Sequence, residues 1–391
     1  MKFKRIFVLI LDSLGVGEAL DANNYGDNGA NTLKHIMENY DLFIPNLEKL
    51  GFLNTITMDD REDVDAYYTI ARPTNIGKDS LTGHYELMGL KNETPFKTFT
   101  EKAFPIELID KIEEVTKKRV IGNKVIHGEQ IINELGERHM NYGSLILYTS
   151  SDSTLQLAAH EDIVPVSKLH AYCEKVRKIT LSDEWRIARV IARPFNGKPG
   201  KFKFTHDRKD FAVKPPKRSI LNDLKDKEYS VISIGKVSDV FDGEGITKSI
   251  KGAKTNIDTI TKLTDIMSKN FTGLCITNLN DFDALYGHNR DVEGYGKAIE
   301  ELDVEMSMIL NKLNNDDLLI ITADHGNDPT FSGNAHTREN VPVILFGRNF
   351  KTPTKLEPLQ TMADIGATIA ENFEIEKPEI GTSFYSLYQL I

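Results

Sequence analysis

Asp317-Leu318-Leu319-Ile320-Ile321-Thr322-Ala323-Asp324-His325-Gly326-Asn327 reads as a buried strand that ends in an adjacent carboxylate and imidazole. A second imidazole, His336, follows one loop later. In an open α/β sheet, ligands bind just outside the carboxyl ends of the strands. Asp and His at that place have the position and the donor atoms to hold a divalent cation. Two other stretches have the same form. Residues 6–11 are an unbroken apolar run, as expected of a strand covered on both faces, and the run stops at Asp12-Ser13 before Gly15 and Gly17 turn the chain. Gly273–Leu279 leads into Asp281, Asp283 and then Gly287-His288. One Asp at a strand end is as well explained as a helix N-cap or a turn residue. Three such clusters plus His336 point to metal.

Strand-like runs at 231–234, 274–279, 318–322 and 341–346 alternate with helical patterns. One helix places Leu302, Met306, Ile309 and Leu313 on a single face, with Glu300, Glu301, Asp303 and Glu305 off it. This alternation predicts a mostly parallel sheet. The stretch 94–217 is different: Pro95 and Pro105 mark its entry and Pro215-Pro216 its exit. It contains β-rich runs at 144–149 and 186–192 and a helix around 169–179. The expected organisation is a core from 1–94 and 218–391, with a smaller α+β domain, 95–217, inserted in it. No internal repeat or low-complexity tract is present.

The 391 residues are 40 % hydrophobic and 27 % charged, which suggests neither a disordered nor a membrane class. A net charge of −10 argues against a nucleic-acid surface. Cys173 and Cys275 read as core thiols rather than a disulfide. No signal h-region follows Met1, and no run reaches membrane-spanning length, so a cytoplasmic protein is expected. Gly15-x-Gly17 is not a dinucleotide fingerprint, because the third glycine is absent. The histidines at 35, 127, 139, 160, 170 and 206 read as surface or satisfied core residues. Arg208, Lys209, Lys214, Lys217 and Arg218 read as a solvated linker face.

A nucleophile candidate lies in Gly77-Lys78-Asp79-Ser80-Leu81-Thr82-Gly83-His84-Tyr85-Glu86. A hydroxyl at a helix N-terminus sits where an anion is welcome, although Asp79 or Ser80 is equally suited to be an N-cap. A neighbouring bound cation would let such a hydroxyl ionise.

Together with Asp283-x-x-x-x-His288 and His336-Thr337-Arg338-Glu339, these motifs resemble the alkaline phosphatase superfamily. Tyr148 to Ser153 with Gln156 and His160-Glu161, Arg189 to Phe195, and Gly235 to Asp239 resemble its phosphopentomutase family in particular. The resemblance spans nearly the whole chain. It implies an alkaline phosphatase-like three-layer α/β core with a mostly parallel sheet and an inserted cap.

The resemblance also implies two manganese ions. Asp12, Ser80, Asp324 and His325 would surround one, and Asp283, His288 and His336 the other. Ser80 would be the phosphorylated nucleophile, in a position where that family carries threonine. Serine fills the position in cofactor-independent phosphoglycerate mutases and in alkaline phosphatase, and Thr82 stays open as an alternative. The implied reaction interconverts (deoxy)ribose 1-phosphate and 5-phosphate through a phosphoenzyme and a 1,5-bisphosphate, primed by a sugar bisphosphate. Two metals stabilising the attacking and leaving oxygens suit such a transfer. Arg189, Arg193 and Lys236 would then hold the phosphates and Asp152 the sugar hydroxyls. The rival readings are a metal-dependent phosphatase or phosphodiesterase, a phosphoglycerate mutase of the same superfamily, and a non-catalytic binding protein.

Overall fold

Seven consecutive buried residues, Arg5–Leu11, form the strand from which the larger sheet is built outward. The computed structural model describes residues 2–61, 63–99, 102–126, 128–150, 153–251 and 253–385. In chain order the first strands are β1 (Arg5–Leu11), β2 (Tyr67–Ala71), β3 (Val120–Val125), β4 (Leu145–Thr149), β5 (Thr154–His160), β6 (Arg189–Asn196) and β7 (Lys203–Phe204). The others are β8 (Lys209–Ala212), β9 (Ser230–Ile234), β10 (Lys248–Ile250), β11 (Gly273–Leu279), β12 (Asp317–Thr322) and β13 (Val341–Phe346). Two compact units result, Met1–Thr94 with Pro215–Ile391, and Pro95–Lys214.

In the first unit the sheet order is β10-β9-β11-β1-β12-β13-β2. The pairs from β10 to β12 are parallel, whereas β13 pairs antiparallel with both β12 and β2. The sheet is therefore mostly parallel, with an antiparallel edge. Two groups of helices cover it. Thr32–Asn39, Asn256–Met267 and Val292–Lys312 pack among themselves, as do Ser80–Leu87, Ile220–Asp226 and Ala363–Asn372. Burial on both faces explains why β1, β11 and β12 read as unbroken apolar runs rather than alternating ones.

Two charged residues depart from the sequence expectations. Arg5 was left outside the first strand, yet it is buried there. Its Nε and Nη2 donate to Asp317 at 2.8 and 2.5 Å, and Nη1 donates to the carbonyls of Met267 and Lys269. A guanidinium with four of its five N–H groups paired is tolerated where a lone one is not. Asp303, placed on the polar side of its helix, is 3 % exposed, because its carboxylate accepts from Leu47 N (2.7 Å) and Asn46 Nδ2 (3.0 Å).

The second unit has a mixed sheet in the order β3-β4-β5-β6-β7, with β8 also paired to β6. Helices Ile106–Thr116 and Val166–Ile179 cover one face, on Leu145, Leu147, Leu155, Leu157, Val190 and Ala192. Helix Gln130–Tyr142 packs on β3, β4 and β5, where Ile131 and Ile132 meet Ile146, Tyr148 and Ala158. Lys209, expected on a linker face, begins strand β8. Cys173 and Cys275 are free, buried thiols, and burial pushes the pKa of both up, that of Cys275 to about 12.

Candidate metal centre

Parallel register brings the strand ends level. Leu11 pairs with Leu279 and Ile10 with Thr322, so Asp12, the turn after β11 and Asp324 emerge together at the carboxyl edge of the sheet. A π-helical turn, Phe282–Gly287, places Asp283 there, and His288 follows it. The second imidazole-bearing loop returns His336 to the same place.

Two groups of possible ligand atoms form within this cluster: Asp283, His288 and His336, and Asp12, Asp283 and His325. In the first, His288 Nε2 lies 3.2 Å from Asp283 Oδ2, His336 Nε2 lies 3.3 Å from Asp283 Oδ1, and the two Nε2 atoms are 3.3 Å apart. In the second, His325 Nε2 is 3.6 Å from Asp12 Oδ1; outside that group, it is 3.5 Å from Asp324 Oδ2. The His325 and His336 rings stack with centroids 4.0 Å apart.

The imidazole tautomers decide what this cluster can do. His288 Nδ1 donates to Asn334 O (2.9 Å), His325 Nδ1 to Gly326 O (3.1 Å) and His336 Nδ1 to Lys78 O (2.8 Å). A carbonyl only accepts, so each Nδ1 carries a proton and each Nε2 is the nitrogen turned inward. Two inward ring nitrogens 3.3 Å apart beside a carboxylate call for a cation or a shared proton among them. The carboxylates agree. Asp12 is fully buried, its Oδ1 has no hydrogen-bond partner, and burial together with the Asp324 charge pushes it up to about 7. Burial pushes His325 down to about 4, which keeps its lone pair available at neutral pH. The Lys236 ammonium lies against two of the buried carboxylates, Asp12 and, at 3.7 Å, Asp324. The donor set fits divalent metal.

Ser80 is the first residue of helix Ser80–Leu87, and Asp79 is its N-cap, accepting from Leu81 N and Thr82 N. The cap is Asp79, and the Ser80 hydroxyl one residue on faces the cluster. Ser80 Oγ lies 3.2 Å from His325 Nε2 and accepts from Lys236 Nζ at 2.7 Å. Thr82 Oγ1 instead donates to Asp79 Oδ2 at 2.7 Å. The helix sits very close to the strand end, since a Cβ on Gly83 would lie 1.9 Å from Asp324 O. Arg338 holds the preceding loop. Its guanidinium forks onto Asp21 (2.9 and 3.1 Å) and donates to Gly77 O (2.6 Å) and Pro73 O (3.0 Å).

Of the expected substrate contacts, Lys236 lies in this cluster, against Asp12 and Ser80. Arg189 and Arg193 lie on β6 of the second unit, and Asp152 is outside the described residues, as is His127. Four supporting residues had no role in the sequence reading. His84 Nδ1 is 3.1 Å from Asp324 Oδ2, Asn278 Nδ2 donates to Asp12 Oδ2 (2.9 Å), Asn327 Nδ2 donates to Asp283 Oδ1 (2.8 Å), and Tyr295 OH meets Ser13 Oγ at 3.1 Å. Asn278 had a visible signal, a polar amide inside the apolar run of β11.

The family model described as the Metalloenzyme superfamily matches residues 4–377. Among solved structures, the PH0037 protein from Pyrococcus horikoshii is 13 % identical, with 98 % of this chain and 100 % of that one covered and a TM-score of 0.50. Phosphoglycerate mutase from Leishmania mexicana, solved at low cobalt concentration, is 14 % identical over 97 % of each chain, with a TM-score of 0.49. A protein in the alkaline phosphatase superfamily from Vibrio parahaemolyticus is 11 % identical over 98 % of this chain and 70 % of that one, with a TM-score of 0.47. Among the described residues, no helix is long and apolar enough to cross a membrane.

Proposed function

The chain belongs to the Metalloenzyme superfamily, and on that premise we propose that it is a phosphopentomutase, interconverting (deoxy)ribose 1-phosphate and (deoxy)ribose 5-phosphate. The observation that carries the reading is the convergence of a helix-start hydroxyl, Ser80, with three buried carboxylates and three inward-turned imidazoles at one sheet edge. The choice of pentose phosphate is supported by the resemblance of 148–153, 189–195 and 235–239 to that family.

Asp12, Ser80, Asp324 and His325 would hold one manganese ion, and Asp283, His288 and His336 a second. Such ions supply neutralisation of the charge that builds on the oxygens flanking a transferring phosphorus. The chain's own groups do the rest. Ser80 Oγ carries the phosphoryl group and gives it to the free hydroxyl of the bound pentose phosphate, which makes the 1,5-bisphosphate. The same oxygen then takes the other phosphoryl group back, so the phosphate count of the enzyme is unchanged over a cycle. Lys236, already on Ser80 Oγ, neutralises the charge of that group. Arg189 and Arg193 are assigned to the non-reacting phosphate and Asp152 to sugar hydroxyls.

The test is an assay with ribose 5-phosphate and manganese that follows ribose 1-phosphate and free phosphate together. Isomerisation stimulated by a catalytic amount of sugar bisphosphate is expected. Phosphate release as fast as isomerisation, with no such stimulation, would make the protein a phosphatase. Conversion of phosphoglycerate in place of pentose phosphate would make it a phosphoglycerate mutase.

A further inference from the structure

The larger sheet has a second edge with a chemistry of its own. Lys4 lies just ahead of β1 and Asp12 just after it. At about 3.3 Å per residue, these two positions stand roughly 25 Å apart along the strand. The metal cluster occupies the carboxyl end. Beside the amino end is a cavity of about 350 Å³, lined among others by Lys4, Lys269, Asn270, Lys312 and Asp316.

The three lysines come from three separate elements, and none of their ammonium groups has a carboxylate partner among the described residues. Lys4 Nζ donates to Asn270 Oδ1 at 2.8 Å. Lys312 Nζ donates to Ser268 Oγ (2.8 Å) and Thr264 O (3.2 Å). The Lys269 ammonium makes no bond among the described residues. Lysines elsewhere pair with acids, as Lys78 does with Asp27, Lys262 with Asp258 and Lys297 with Glu293. A helix carboxyl end attracts cations, and helices Asn256–Met267 and Val292–Lys312 both end beside the cavity. That pull accounts for Lys312, and for Arg5, whose Nη1 takes the carbonyls of Met267 and Lys269 while its fork takes Asp317. It does not account for Lys4 or Lys269, whose ammonium groups meet no helix carbonyl among the described residues. Among those residues Asp316 is the one carboxylate of the lining, so the cavity is positive in a chain of net charge −10. Asn270, with its Oδ1 on Lys4, keeps its Nδ2 donors unused among the described residues.

We propose that this cavity binds a phosphate dianion, inorganic or carried by a small ester, held by Lys4, Lys269 and Lys312 with the Asn270 amide. An ammonium is a point charge with three donors on a flexible stem, so three of them can close on a compact tetrahedral anion. The volume lies in the range of small-molecule sites. A nucleic acid would need a broad basic surface, which the acidic chain does not offer. Lys4, Lys269 and Lys312 each lie shortly ahead of β1, β11 or β12, so the bound anion ties together the starts of three neighbouring strands. The site is at the opposite end of β1 from the metal cluster and is independent of the mutase reading.

The experiment is lysine footprinting of the full chain. Brief acetylation and peptide mass spectrometry are applied across a titration of inorganic phosphate, with ionic strength held constant by chloride. Ribose 5-phosphate and unphosphorylated ribose are the parallel arms. Lys4, Lys269 and Lys312 should be protected together, with one midpoint at roughly 1 mM or tighter. Lys297, exposed and paired with Glu293, should keep its reactivity, and ribose should protect none of the lysines. Protection by phosphate alone assigns the free ion, and protection by both phosphate and ribose 5-phosphate assigns a site open to esters. Lys269→Gln removes a charge without breaking a side-chain bond of the described structure. It should raise the midpoint by about tenfold or more, as loss of a charge-assisted contact does. It should also shrink the rise in melting temperature that phosphate gives the wild type. Lys269→Arg should keep most of the affinity, because the charge is retained. Isomerisation by Lys269→Gln should match the wild type, so a failure here is told apart from a failure of the mutase reading. Protection that follows ionic strength alone, protection of Lys269 without Lys4 and Lys312, or an unshifted midpoint in Lys269→Gln would overturn the proposal.

Discussion

Two neighbouring hydroxyls, two residues apart, meet different partners, and that difference is testable. Ser80 Oγ faces Lys236 and His325, whereas Thr82 Oγ1 is spent on the N-cap Asp79. Incubation with a sugar bisphosphate followed by peptide mapping should place one phosphate on Ser80. Ser80→Ala should be inactive, and Ser80→Thr should keep activity, because the hydroxyl is retained. A label on Thr82 would instead mean that the nucleophile lies two residues further along and that Ser80 loses its place in the metal set. His336 carries the second expectation. Its Nδ1–H is fixed on Lys78 O, so the ring has one orientation and one inward nitrogen. His336→Ala should weaken manganese binding by about 10-fold or more, measured by titration against a chelator, and lower the rate by orders of magnitude without loss of fold. Unchanged manganese affinity would remove His336 from the metal set.

At the scale of elements, the approach of helix Ser80–Leu87 to the end of β12 sets the reach of the nucleophile. A Cβ on Gly83 would meet backbone, Asp324 O, rather than a side chain that can turn aside. Gly83→Ala should therefore push the helix off the strand end and cost about 1–3 kcal/mol, as overpacking does. The melting temperature would show the cost. A larger fractional loss in kcat than in stability is expected, because Ser80 and Asp324 move apart. The same elements show what the sequence could and could not convey. β1, β11 and β12 were legible because burial on both faces leaves an unbroken apolar run, and each run ends in the carboxylate that reaches the cluster. Helices Ile106–Thr116 and Gln130–Tyr142 were not, since each buries only a narrow apolar stripe among polar residues. His84 and Asn327 were illegible for another reason. Their partners, Asp324 and Asp283, are far away in sequence, and nothing local marks either residue as support. Lys236 was legible as a cation for phosphate, but its place on Ser80 Oγ depends on β9 lying beside β11.

For the whole molecule, the two units differ in what should undo them. In the second, His139 donates from Nδ1 to Ser144 O and accepts from His160 N at Nε2, so both ring nitrogens are committed to the neutral form. Burial first, and then the nearby His160 and Lys118, lower its pKa below 6.5. The folded state then resists a proton that the unfolded chain accepts. The resulting stability is complete above about pH 6.5 and is lost as pH falls toward the depressed folded value. Urea midpoints followed by a probe in the second unit should drop between about pH 7 and pH 5, and His139→Gln should flatten that drop. An equal drop in the variant would assign the acid sensitivity elsewhere. Sheet order has a different consequence, for the moment of synthesis. β1 leaves the ribosome long before its two partners, which begin at Gly273 and Asp317, and among the described strands β2 pairs with β13. Residues 95–214 are continuous and close their own sheet with strands already translated. The inserted unit should thus be the first to resist protease on a nascent chain, while the founding strand waits, apolar and unpaired, for most of translation. Arrested chains that end before β11 should show protection confined to the insert. The long wait of β1 makes this a protein whose yield depends on chaperones that shield an early hydrophobic segment, more than on the stability of the finished fold.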